Sequence, residues 1–175
     1  LEFRRVLFRS FAAVQRTDSV VYGIDPAVHW MNIFEAVGDD RPNRPVLLLM
    51  TGTPLSSRGW VSALDGVAET LARYGIVVAV AQRRSGPTSC DGCSFGMLIR
   101  VVQDQKAAVR YLRSEAATLR LDGDRILSGG FSSGGIVALI SNYYTDEDAA
   151  PDLRVLLDSL GGWEGEQGTP GVSSA

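Results

Sequence analysis

Apolar residues along this chain switch between two spacings. Val46-Leu47-Leu48-Leu49-Met50 and Ile76-Val77-Val78-Ala79-Val80-Ala81 are unbroken apolar runs, as expected of strands buried on both faces. Between them Val61, Leu64, Val67, Ala68, Leu71 and Ala72 recur at helical spacing, and Tyr74-Gly75 supplies the stop. Strand, helix, strand predicts a parallel pair joined by a crossover. Upstream, Ser19–Gly23 and His29–Ala36 read as strands, with a turn-rich loop at Gly38–Pro45 after them, an antiparallel start to the sheet. Downstream of a Gly, Pro, Ser and Cys loop at Ser85–Ser94, Ile99, Val102, Ala107, Val109, Tyr111 and Leu112 predict a long helix closed by Leu121–Asp124. Arg125–Gly129 then reads as a strand, a helix follows to about Tyr144, and Leu153–Leu157 reads as a last short strand. This alternation predicts an α/β chain, a three-layer sandwich with a mostly parallel central sheet. Gly161–Ala175, rich in Gly, Ser and Pro, predicts no closing helix.

Composition narrows the class. With 175 residues and 45% apolar content the chain has the size of one domain with a real core. A net charge of −3, with no basic cluster beyond the first ten residues, argues against nucleic acid or anionic membrane as partner. No apolar run is long enough for a membrane span. Leu1–Ser10 holds Arg4, Arg5 and Arg9 and joins Phe11 without a turn signal. Glu2–Ser10 looks like the translation of a sequencing-library adapter, of the kind left on reading frames assembled from environmental DNA. Residues 1–10 are therefore set aside as a non-native tail, and 11–175 is expected to be the N-terminal part of a single domain.

The chemistry lies in Gly130-Phe131-Ser132-Ser133-Gly134, between the Arg125–Gly129 strand and the helical Gly135-Ile136-Val137-Ala138-Leu139-Ile140. A serine on a tight strand-to-helix turn takes a strained backbone conformation, and small neighbours are needed where a Cβ would collide with strand and helix. This nucleophile-elbow pattern aims the Ser132 hydroxyl outward and puts the Ser133 N–H at a helix start, where it can stabilise an oxyanion. A serine nucleophile needs a base, usually a histidine oriented by a carboxylate. The single histidine, His29, precedes the first buried strand and is expected to be a strand residue beside Trp30. Asp158 follows the Leu153–Leu157 run and is read as a solvated or capping aspartate.

Asp104-Gln105-Lys106-Ala107-Ala108-Val109-Arg110-Tyr111-Leu112-Arg113, Asp124-Arg125-Ile126 and Gly129–Gly135, taken in that order, resemble the carboxylesterase and lipase branch of the α/β-hydrolase superfamily over roughly residues 20 to 160. The resemblance implies an incomplete α/β-hydrolase fold and an esterase that forms an acyl-enzyme at Ser132. In that family the strand before the first helix ends in His-Gly-Gly-Gly, which supplies half the oxyanion hole. Here the stretch is Thr51-Gly52-Thr53-Pro54. Gly52 and Thr53 are left as its backbone donors, since Pro54 has no N–H. The family order of nucleophile, acid, histidine puts the other triad members beyond residue 175, so the chain is expected to be cut at both ends, nearly inactive, and open along the sheet edge where later strands would pair.

Such an enzyme takes a small-molecule ester and needs neither cofactor nor metal. Two other readings stay open: a peptidase or amidase of the same fold, and a catalytically dead α/β-hydrolase-like binding protein. Cys90 and Cys93 form a C-x-x-C in the Ser85–Ser94 loop. A local disulfide in an exported enzyme, secreted or periplasmic, ranks above a redox pair and above a zinc site; two unpaired buried thiols remain an equal alternative. Trp60 is expected to pack at a helix start and Trp163 to line a pocket at the carboxyl end of the sheet. Arg83-Arg84 is read as a solvated pair, with contact to an anionic substrate as the alternative.

Overall fold

The computed structural model describes residues 10–24, 28–52, 62–84 and 95–174. Among the described residues eight principal elements follow in chain order: β1 (Val14–Gly23), β2 (His29–Ala36), β3 (Arg44–Met50), α1 (Asp65–Ala72), β4 (Val77–Ala81), α2 (Phe95–Ser114), β5 (Leu121–Gly130) and α3 (Ser133–Tyr143). A ninth, α4, covers Pro151–Ser159, and single 3-10 turns occur at Ser62–Leu64 and Asp146–Asp148. The five strands form one sheet in the order β1-β2-β4-β3-β5. β4 pairs with β3, and β3 with β5, in parallel, whereas β2 runs antiparallel to both β1 and β4. Among the described strands only β2 therefore opposes the common direction.

The period-two alternation of β3 assigns the layers. Val46, Leu48 and Met50 meet Ala107, Ala108 and Leu112 of α2 in one apolar cluster. Leu49 faces the other way, with Phe34, Val78 and Val80, against Ala68 and Ala72 of α1. Small alanines on both helices let them lie close to strands of Val, Ile and Leu. A third cluster joins Ile99 and Val102 of α2, Val137 of α3 and Leu157 of α4 around Trp163. β2 and β4 are buried along their whole length. β5 is an end strand, with Leu127 63% exposed.

Three element assignments differ from the sequence reading. Leu153–Leu157 is not a strand but the middle of α4. Pro151 occupies the first turn, where its missing N–H costs nothing, and Asp152 complements the helix dipole. Leu153, Leu156, Leu157 and Leu160 recur at helical spacing and face the third cluster. Leu121–Asp124 belongs to β5 rather than to the close of the helix. Arg120, at φ 52°, reverses the chain, and buried Leu121 pairs with Arg44 before a register shift ahead of Ile126. β1 begins at Val14, five residues before the apolar signal, because its polar Gln15, Arg16 and Thr17 lie on an edge strand, where backbone pairing to β2 needs no buried side chain.

Buried charge ties the layers together. Arg84, just past β4, gives Nε and a terminal nitrogen to Asp104 Oδ1 on α2 at 2.8 and 2.6 Å, and its backbone N–H to Oδ2 at 2.8 Å. Asp104 is fully buried and Arg84 nearly so. Residues 161–174 run along α2 in turns, held by Gln103 on the Leu160 and Gly162 carbonyls (2.8 and 2.7 Å) and by Lys106 and Arg110 on Glu164 (2.6 and 2.9 Å).

Two expectations follow from these pairs. Removing one partner of a buried ion pair leaves the other uncompensated, so Asp104→Asn should lower unfolding free energy by about 3–5 kcal/mol, read by urea denaturation; a loss below about 1 kcal/mol would show that water reaches Arg84. Burial pushes the Glu164 carboxyl up, but hydrogen bonds from Lys106 and Ser174 and the charges of Lys106 and Arg110 outweigh it and hold it below its ordinary 4.5. A depressed folded-state value stabilises the fold above that ordinary value and ceases to as pH falls through it. Fluorescence of the neighbouring Trp163 should report loosening of this segment below about pH 4.5, and Glu164→Gln should remove that acid transition.

Candidate active site

β5 carries the chain to the carboxyl end of the sheet and α3 carries it back, with two residues between them. The second is Ser132, exposed, with φ 55° and ψ −126°. This conformation costs a side-chain-bearing residue on the order of 1–3 kcal/mol. Hydrogen bonds on both sides impose it. The Phe131 N–H donates to the Met50 carbonyl at 3.2 Å, the Gly134 N–H to the Phe131 carbonyl at 2.9 Å and the Gly135 N–H to the Ser132 carbonyl at 3.0 Å.

The glycines are spatial necessities here. A Cβ on Gly130 would lie 2.5 Å from the Gly134 carbonyl carbon and 2.6 Å from the Met50 oxygen, and one on Gly134 would strike the Met50 oxygen. β3, the turn and α3 thus meet backbone to backbone. Gly52 closes the same contact from the β3 side. A Cβ there would stand 2.8 Å from the Phe131 oxygen and 2.9 Å from Ser132 Cβ, so Gly52 packs directly against the serine. Gly52 is buried, and among the described residues its N–H meets no acceptor. Ser133 opens α3. Thr53, Pro54, Trp60, Cys90 and Cys93 lie outside the described residues.

Among the described residues no side chain engages the Ser132 hydroxyl. His29 is 2% exposed on β2, its ring 5.9 Å from that of Tyr22. Two strands separate β2 from β5, so three interstrand spacings, about 14 Å, lie between the two strands. His29 is thus a strand histidine, as expected, and it is packed rather than solvated. Asp158 is exposed on α4. Trp163 is 6% exposed inside the third cluster, edge-on to Tyr144 at 5.8 Å.

The arginine pair is the largest departure from the sequence reading. Arg83 and Arg84 are 4% and 8% exposed rather than solvated. The parallel register that sets Met50 opposite Ala81 carries Arg83 level with the Thr51–Gly52 turn, and its Nε donates to the Thr51 carbonyl at 3.3 Å. Burial lowers the Arg83 pKa and nearby Asp104 offsets part of that. A signal was present: two arginines one residue past a fully apolar strand, with an aspartate inside a helix that otherwise packs on the sheet.

With this geometry in hand, comparison with known proteins is informative. The BD-FAE family model, an esterase family of α/β-hydrolase type, matches residues 97–160. A thermophilic esterase of the planctomycete Thermogutta terrifontis, Est2 with propionate bound, superimposes with a TM-score of 0.63 at 21% identity, covering 99% of this chain and 54% of that one. The same esterase phosphorylated by paraoxon gives 0.62 at 22% identity over 81% of this chain and 52% of that one. A bacterial heroin esterase gives 0.61 at 26% identity over 79% and 42%. No curated protein sequence matches the chain. The fold is that of the α/β-hydrolases, and the family model and these neighbours lie on its esterase side. The chain spans about half the length of these esterases.

The strain at position 132 is measurable. Ser132→Gly relieves the positive φ, against the greater entropy loss of glycine, and should stabilise the fold by about 1 kcal/mol, whereas Ser132→Ala should not. Equal urea midpoints for the two variants would show that the turn stores no strain.

Proposed function

We propose that Ser132 is the nucleophile of a carboxylic ester hydrolase. The observation that carries this reading is an exposed serine at φ 55° between β5 and α3, packed against Gly52, whose N–H meets no acceptor among the described residues. Ser132 Oγ attacks the ester carbonyl carbon and passes its proton to a base. The carbonyl oxygen takes the negative charge and lies against the N–H groups of Gly52 and Ser133, with Thr53 as a further donor. Collapse expels the alcohol, which takes that proton, and leaves an acyl-enzyme that water cleaves by the same route.

The fold likeness to the Thermogutta and heroin esterases favours an ester over a peptide or amide substrate. In this reading the acid and histidine come from the length these esterases have and this chain lacks, residues 11–175 are the nucleophile-bearing part of the domain, and the chain alone is nearly inactive. The Cys90–Cys93 disulfide and a secreted or periplasmic setting are part of the same proposal.

A serine-reactive phosphonate tests it. A protein extended to the length of the esterases should be labelled at Ser132, and Ser132→Ala should abolish labelling. The 175-residue chain should react at least about a thousandfold more slowly, as hydrolases without their base do. Labelling of both forms at one rate would remove the absent base from the proposal, and an inert serine in the longer protein would remove the nucleophile.

A further inference from the structure

We infer that Arg83 is a positioning residue that strengthens the Gly52 N–H as an oxyanion donor by polarising the Thr51–Gly52 peptide from its carbonyl end. The inference rests on the esterase reading for its catalytic meaning, but its physical content stands on the contact itself. Arg83 is nine-tenths buried and gives Nε to the Thr51 oxygen at 3.3 Å. That oxygen and the Gly52 N–H are the two ends of one conjugated, planar unit. A cation at the oxygen draws electron density from the nitrogen and makes its proton a better donor, and such chains of hydrogen bonds polarise most where water is excluded.

Two features distinguish this contact from an ordinary tie between strand ends. Among the described residues no carboxylate bonds Arg83. Asp104, the acid whose charge reaches it, spends both oxygens on Arg84, so the Arg83 charge is not cancelled by a partner of its own. The peptide it touches also ends in a donor that meets no acceptor among the described residues, on a glycine packed against Ser132. A neutral donor would tie β4 to β3 equally well; a cation changes the far end of the peptide too.

The Gly52 amide reports this directly in the 175-residue chain, without catalysis. In Arg83→Met its proton resonance should move upfield, and its base-catalysed exchange should slow by about threefold, the effect of about half a unit in amide acidity. Arg83→Lys should retain much of the wild-type behaviour, and Arg83→Gln should resemble the methionine variant. The Leu49 and Val80 amides serve as controls for the sheet. A Gly52 amide that shifts and exchanges as in the wild type in both Arg83→Met and Arg83→Gln overturns the inference, as does one that moves only together with Leu49 and Val80. Should Arg83→Met fail to fold, the lysine and glutamine pair separates charge from hydrogen bonding. Failure of the esterase reading shows elsewhere, as a Ser132 inert to phosphonate in the longer protein, whatever the Gly52 amide does.

Discussion

Contact between three stretches of bare backbone governs this molecule. Met50 ends β3, Gly130 ends β5, and Gly134 sits in the first turn of α3, at separations that leave no room for a Cβ on either glycine. The parallel register that pairs Met50 with Gly130 leaves the chain one short turn in which to reverse into a helix, and Ser132 absorbs the reversal at φ 55°. Strain of this kind persists only where surrounding structure over-determines it. Here the hydrogen bond from Phe131 to Met50 and the packing of Val137 of α3 into the third cluster do so. The serine's exposure follows from the same crowding.

Burial on the two faces of the sheet supplies the rigidity this turn needs. β3 lies between β4 and β5, with alternate side chains committed to α2 and α1, so its end cannot shift without disrupting both layers. Buried charge at the carboxyl end of the sheet comprises Arg83, Arg84 and Asp104. Arg84 is neutralised by Asp104, whereas Arg83 reaches the Thr51 carbonyl. Desolvated charge is costly, and an apolar residue usually serves stability as well or better. Two adjacent buried arginines beside the strained turn therefore mark the region where this chain gives up stability for electrostatics.

Much of the architecture was legible from residue order. β3 and β4 are continuous apolar runs, and α2 follows its helical spacing, because each side chain there is buried and burial imposes a period. Legibility failed where that link breaks. β1 hides in polar residues because an edge strand needs only backbone partners. Leu153–Leu157 mimicked a strand because a short apolar run carries no period of its own, although Pro151 and Asp152 marked a helix start. Arg83 and Arg84 looked solvated because sequence position does not reveal that their strand end is covered from α2.

By itself the sequence determined the alternation of strand and helix, the small residues around Ser132 and the lack of a histidine in the order the chemistry uses. All of these are local properties, set by side-chain volume, backbone freedom and chain order. Only the tertiary structure decided that Gly52 abuts Ser132, that His29 lies three strands from β5, and that Arg83 meets the carbonyl of Thr51, next to Gly52. Each joins segments distant along the chain, and their proximity is fixed by strand order and register, which depend on how both faces of the sheet are covered at once.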